Sequence, residues 1–225
     1  MKFGIVRFPG SCDDVDALRA AQRVGDAVIL WHAERDLHGV DAVVIPGGFS
    51  YGDYLRVGAI ARFAPVMAEV ADFAAEGGLV LGICNGFQVL CEAGLLPGAL
   101  LPNLSLRFVC RQVALEVVRC DTPFTCACET SRELSIPVKH TTGRYYAPAD
   151  QLQELTAGGQ VVLRYGAGQN PNGSMNDIAG VRNAEGNVFG LMPHPEHAAD
   201  PLTGSTDGLL ILESLRAHVD GRVPV

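Results

Sequence analysis

The residues best placed to do chemistry are a cysteine, a histidine and a glutamate. Cys84 lies in Gly82-Ile83-Cys84-Asn85-Gly86. The apolar run Leu79–Ile83 ends there, and a helical pattern over residues 85–93 begins. A strand-to-helix turn this tight needs small neighbours, and it lifts its central side chain clear of the sheet edge. The N-terminus of the helix that follows favours the thiolate, the form that attacks. His194 lies in Met192-Pro193-His194-Pro195-Glu196. Pro195 biases His194 toward extended geometry, in which residues two apart share a side. Glu196 would then orient the imidazole that carries the thiol proton. Each motif alone also suits a buried cysteine or a solvated side chain; together they point to acyl transfer.

A third segment, Gly47-Gly48-Phe49-Ser50-Tyr51-Gly52-Asp53, follows the apolar stretch 41–46. Glycines at the carboxyl end of a parallel strand let backbone amides approach a ligand. The amides of Gly48 and Asn85 are the candidate pair for an oxyanion. Cys12, Cys91, Cys110, Cys120, Cys126 and Cys128 lack the turn and are read as structural. Cys126-Ala-Cys128 with Cys110 and Cys120 lacks zinc-ligand spacing, so no metal site is expected.

The elements that must position these residues alternate. Strands are expected at 2–8, 27–32, 41–46 and 79–83, and helices at 13–24 and 85–93. Ile60, Phe63, Met67, Val70 and Ala74 recur at steps of three and four, which predicts a helix over 60–74 ended by Gly77-Gly78. Such alternation implies an α/β fold: an open, mostly parallel sheet with helices on both faces, flavodoxin-like. The stretches 109–118 and 133–140 suggest added antiparallel strands in the middle. Residues 178–182 and 187–192 flank Asn183-Ala-Glu-Gly186 as a hairpin. Ser205 is expected to cap a last helix through Leu209, Leu212, Leu215 and Val219. No linker or repeat interrupts the chain, so residues 1–225 are read as one domain.

The chain carries 17 Lys+Arg against 25 Asp+Glu, a net charge of −8, and only two lysines, Lys2 and Lys139. No basic stripe suggests nucleic-acid binding. No signal peptide and no run of ~20 apolar residues is seen, so no membrane is expected. The seven cysteines do not space as a disulfide framework, and a reducing cytoplasm fits. The sequence has no Gly-x-x-x-x-Gly-Lys-Ser/Thr loop. Pro171 sits where a dinucleotide fingerprint beginning at Gly166-Ala-Gly168 needs its third glycine. Any ATP chemistry is therefore expected on another chain.

The glycine-flanked cysteine, the double-glycine loop and His-x-Glu together resemble the triad-type glutamine amidotransferases. The blocks PGGFSYGD, GAIARFAP, GICNGFQVL, GLLPGAL, NPNGS, DIAGVRN and MPHPE are similar to the family of glutamine amidotransferase subunits of phosphoribosylformylglycinamidine synthase. That resemblance implies glutamine hydrolysis with Cys84 as nucleophile, His194 as acid/base and Glu196 as its orienter. It further implies oxyanion amides at Gly48 and Asn85, and Gln88 lining the glutamine pocket. No cofactor is implied on this chain. ATP and magnesium would sit on a larger synthetase subunit, with a third small subunit in the complex. The sequence departs from the family in three places. Ser11 meets Cys12 without the usual asparagine, His140-Thr-Thr-Gly143 replaces His-Gly-Glu-Gly, and His197 stands where arginine is usual. The second departure leaves open what residues 140–144 contact, a partner surface being one candidate. Rival readings are an amidotransferase for another synthase, a cysteine hydrolase or peptidase, and a non-catalytic module. The NPNGS and FSYGD blocks argue against the first, and the intact Cys84, His194 and Glu196 against the last.

Overall fold

The computed structural model describes residues 1–129 and 132–221. Its first half is the expected alternation: β1 (Lys2–Arg7), α1 (Asp14–Gln22), β2 (Asp26–Trp31), β3 (Ala42–Ile45), α2 (Pro65–Ala75), β4 (Leu79–Ile83) and α3 (Asn85–Glu92). Then come β5 (Ala99–Pro102), β6 (Val109–Val117), β7 (Glu133–His140), β8 (Thr142–Tyr146), α4 (Ala149–Ala157), β9 (Val161–Tyr165), β10 (Ile178–Arg182), β11 (Val188–Leu191) and α5 (Leu209–Val219). One nine-stranded sheet runs in the order β2-β1-β3-β4-β11-β10-β9-β6-β7, and β5 pairs separately with β8.

The sheet has two halves. β2, β1, β3, β4 and β11 are parallel neighbours. The central strands are apolar runs because both faces are covered, and β3 and β4 are buried along their whole length. β10, β9, β6 and β7 add on antiparallel. The α/β class is as the sequence implies, with a longer antiparallel extension than its middle stretches suggest. β10 and β11 form the expected hairpin, pairing Gly180 with Leu191 and Arg182 with Phe189.

Three expectations change. The helix over 60–74 starts at Pro65, not at residue 60. Proline suits the first helical position, and it forces Ala64 to extended geometry (φ −62°, ψ 143°). Phe63 is therefore outside the helix and largely exposed, under the Arg62 guanidinium. Ser205 does not cap the last helix. Its hydroxyl accepts from the Asp207 amide, and Gly208 begins the helix. A side chain at Gly208 would collide with the Pro195 carbonyl, so this glycine lets α5 close on the segment that carries His194. Four elements, β5, β8, α4 and β9, were not foreseen; each is a short run whose apolar residues alone do not announce a period.

Candidate active site

Cys84 takes the residue between β4 and α3, with φ 50° and ψ −102°. An L-residue holds such a conformation only when its surroundings dictate it. Here they do. Its amide donates to the Leu191 carbonyl at 2.8 Å. A Cβ on Gly82 would lie 2.8 Å from the backbone of Gly86, and one on Gly86 would fall well inside 3.0 Å of the Ile45 carbonyl. The flanking glycines thus let α3 start directly against β3 and β4. The amides of Asn85 and its next neighbours are at the first turn, where no intrahelical acceptor exists. The Gln88 amide is the first to bond back, to the Cys84 carbonyl at 3.2 Å.

His194 follows β11, which pairs with β4 in parallel, Leu191 opposite Ile83. Cysteine and histidine therefore leave the carboxyl ends of adjacent strands, the edge where open α/β sheets bind ligands. The His194 amide is tied to the Pro137 carbonyl of β7 at 2.8 Å. Residues Pro195–His197 form a single 3-10 turn. The His194 and Glu196 side chains thus meet across a tight turn and not along an extended strand as the spacing predicts. The meeting itself is as expected: His194 Nδ1 donates to Glu196 Oε1 at 2.6 Å, with both side chains buried. Burial disfavours charge on His194, but Glu196 and then Cys84 outweigh it and push its pKa up to about 10. Nε2 is buried and makes no hydrogen bond in this resting geometry. The Cys84 sulfur has the Lys139 carbonyl at 3.9 Å.

Gly48, Cys84, Gln88 and His194 line one cavity of about 130 Å³. A single water needs roughly 10–15 Å³, so a small metabolite fits. Gly48 pairs with Ser11 as an isolated antiparallel bridge, bonded through its neighbours: Cys12 N to Gly47 O at 3.3 Å and Phe49 N to Gly10 O at 2.8 Å. In such a pair the central residue's own amide points away from its partner. That leaves the Gly48 amide as a donor at the cavity wall. With φ +149° and a virtual Cβ 2.6 Å from the Cys12 amide, only glycine fits there. Asn85 turns its side chain inward. Its Oδ1 accepts from Ser50 N at 3.1 Å, and its Nδ2 donates to Gln88 Oε1 at 2.9 Å. Gln88 donates in turn to the Thr142 carbonyl. Both of its amide ends are thus held by protein, so it shapes the cavity wall.

Of residues 140–144, His140, Thr141 and Thr142 line this cavity. Asn103 Oδ1 accepts from His140 Nδ1 at 3.0 Å and from the Gly143 amide at 3.1 Å. Asn172 Nδ2 donates to the Gly143 carbonyl at 2.8 Å. Burial, and then the His194 charge, hold the pKa of His140 down, to about 4, so it is neutral at pH 7. The NPNGS block thereby acquires a purpose: it holds the 140–143 segment that carries part of the cavity wall.

Sequence reasoning missed Asp13 and Lys139. Asp13 precedes α1 and reads as an acidic helix start, yet it is buried and lines the cavity. Its carboxylate pairs with Lys139, stands 3.3 Å from His197 Nε2 and lies 3.6 Å from His194 Nδ1. Burial opposes its charge, but His197, His194 and Lys139 outweigh burial and hold its pKa well below the usual carboxylate range. Gly47 makes this closeness possible, since a Cβ there would lie 2.7 Å from His194 Cε1 and closer still to Asp13. The signal available in the sequence was the rarity of lysine.

A buried cysteine elbow and a carboxylate-bound imidazole at one small cavity suit nucleophilic attack on an amide. Residues 1–207 match the model of the CobB/CobQ-like glutamine amidotransferase domain. The chain belongs to that family. It is 62% identical to the phosphoribosylformylglycinamidine synthase subunit PurQ of Rubrobacter xylanophilus, covering 96% of this chain and 98% of that one. It is 59% identical to the subunit of the same name from Mycobacterium tuberculosis, covering 98% and 99%. A chain in the structure of PurLQS from Thermotoga maritima superposes with a TM-score of 0.89 at 43% identity, covering 97% of this chain and 98% of that one. A glutamine amidotransferase from Thermotoga maritima, at 17% identity and TM-score 0.59 over 100% and 99%, shares the fold.

Proposed function

We propose that this chain is the glutamine-hydrolysing subunit of a phosphoribosylformylglycinamidine synthase, acting through Cys84, His194 and Glu196. The observation that carries the catalytic assignment is the buried Nδ1–Glu196 hydrogen bond of 2.6 Å on a histidine that shares a cavity with Cys84. That bond fixes Nδ1 toward Glu196 and leaves Nε2 as the nitrogen that exchanges a proton with Cys84. Cys84 attacks the side-chain amide carbon of glutamine. The amides of Gly48 and Asn85 stabilise the oxyanion, while Gln88 and the 140–144 wall shape the pocket. His194 hands its proton to the departing ammonia, leaving a glutamyl thioester. Water, deprotonated by His194, releases glutamate.

The ammonia passes to a larger synthetase subunit, which binds ATP and magnesium and makes formylglycinamidine ribonucleotide in purine biosynthesis. A third small subunit completes the complex. The PurLQS assembly of the Thermotoga maritima relative supports this division. Residues 1–225 act as one glutaminase domain with no cofactor of its own, in the cytoplasm. Among the described residues no helix is long and apolar enough to cross a membrane.

The test is product analysis. The purified chain alone, given glutamine, ATP and formylglycinamide ribonucleotide, makes no amidine. With its synthetase partner, glutamate and amidine appear in equal amounts. Amidine formed by the chain alone overturns the division of labour. Glutamate release coupled only to a different synthase's product would assign the chain to another pathway.

A further inference from the structure

Around Nδ1 of the His194 imidazole four potential ligand atoms converge. They come from Asp13, His194, Glu196 and His197, and all lie within 4.8 Å of one another. The separations are 3.6 Å for His194 Nδ1 to Asp13 Oδ2, 3.3 Å for His197 Nε2 to Asp13 Oδ1, and 3.6 Å for His197 Nε2 to Glu196 Oε1. A tetrahedral zinc ion with nitrogen and oxygen ligands at ~2.0–2.2 Å needs ligand atoms about 3.3–3.6 Å apart. These three separations fall in that range, the two to Asp13 running to its different oxygens, of which one would bind. The fourth, His194 Nδ1 to Glu196 Oε1, is 2.6 Å because a proton holds it, and it opens once that proton leaves. A second observation points the same way. The Glu196 carboxylate that contributes to the cluster has its other oxygen, Oε2, buried with no hydrogen-bond partner. A half-satisfied buried carboxylate is a ready metal ligand.

We propose that Asp13, His194, Glu196 and His197 form an inhibitory site for a zinc-type divalent ion. Two imidazoles and two carboxylates suit zinc better than magnesium, which prefers oxygen ligands and its own water. The ion enters from the cavity that Asp13 and His194 line, or past the part-exposed His197. Lys139, which competes for Asp13, has a side chain partly open to solvent and can swing outward. On binding, the Nδ1 proton of His194 is released to solvent and the metal takes its place. With Glu196 drawn to the ion, the ring loses the Nδ1–Glu196 bond that orients Nε2 for Cys84. The inhibitory effect rests on the reading of His194 as the base; the site itself does not.

The experiment has two arms. In the first, the full-length Cys84→Ala chain is titrated with Co²⁺ and followed by visible absorption. One ion per chain should bind with a tetrahedral nitrogen–oxygen spectrum and no thiolate charge-transfer band. His197→Gln and His197→Arg in that background should each weaken binding by at least ~10-fold. No binding, a thiolate band, or an affinity unchanged by both variants overturns the site. In the second arm, Zn²⁺ is titrated into the complex while glutamate release is followed. Each complex is compared with its own zinc-free rate, and the His197→Gln complex should need at least ~10-fold more zinc for half inhibition. Equal sensitivity would put the inhibitory ion on Cys84 and overturn the proposal. A complex with no glutaminase activity before zinc is added counts against the functional reading alone, and the cobalt arm still decides the site.

Discussion

Replacing Gly47 by alanine tests whether His194 must stand where it does. Gly47 is not among the glycines with positive φ, so alanine meets no backbone penalty, and the effect is steric alone. The new methyl would lie 2.7 Å from His194 Cε1, against an ordinary contact of 3.4 Å or more, and would also press on Asp13. His194 cannot retreat freely. Its ring is bonded to Glu196 on one side, its amide to Pro137, and the side chain is buried. The ring must therefore move by roughly 0.7 Å, and since ~1 Å of misplacement can cost ~100-fold in rate, a loss of about 10- to 100-fold in kcat/KM for glutamine is expected. Overpacking should also cost about 1–3 kcal/mol of stability, read by urea unfolding. Glutamate release by the reconstituted complex is the assay, and ammonium-driven synthesis the control. A Gly47→Ala complex that is well assembled and keeps its full glutamine kcat/KM would refute the placement of His194 in the reacting set.

Two further predictions concern the carboxylates. Glu196→Gln removes the main group that raises His194. A histidine raised from its usual ~6.5 contributes stability that is fully present below ~6.5 and is lost as pH rises through the folded value. The stability gap between wild type and Glu196→Gln, measured by urea unfolding, should therefore be widest at or below neutral pH and close as pH passes about 10. A constant gap would show that Glu196 acts by packing alone. Asp13→Asn leaves Lys139 and His197 facing a neutral amide, and should cost about 1–3 kcal/mol in urea unfolding, less than a fully buried pair because Lys139 is partly exposed. Asp13 is depressed, so its contribution stands above the ordinary carboxylate range and is lost only as pH falls well below it. The wild type should then show its advantage over the variant from neutral pH down to about 4.

What could be read from the sequence divides along physical lines. β1, β3 and β4 are continuous apolar runs ended by turn glycines, and strands covered on both faces leave that signature. The Cys84 elbow was legible because its glycines answer to contacts within a few residues, Gly82 against Gly86 among them. The His194–Glu196 pairing was legible from spacing and proline, although the geometry behind it is a 3-10 turn, which a two-residue gap does not distinguish from a strand. The start of α2 is not legible from periodicity, because Ile60 and Phe63 keep the helical spacing while Pro65 sets the first turn. Asp13 and Lys139 were invisible for another reason. They are 126 residues apart, and nothing local in either segment states that the topology will bring them together under His194.

The central claim is that Cys84 releases ammonia from glutamine for use by a different chain. Cys84→Ala removes one sulfur and leaves the elbow glycines, the oxyanion amides and the synthetase untouched. In the reconstituted complex, synthesis is measured twice, with glutamine and with ammonium salt as nitrogen donor. The account predicts that the glutamine-driven rate is abolished and the ammonium-driven rate survives. A Cys84→Ala complex that retained its glutamine-driven rate would contradict it outright.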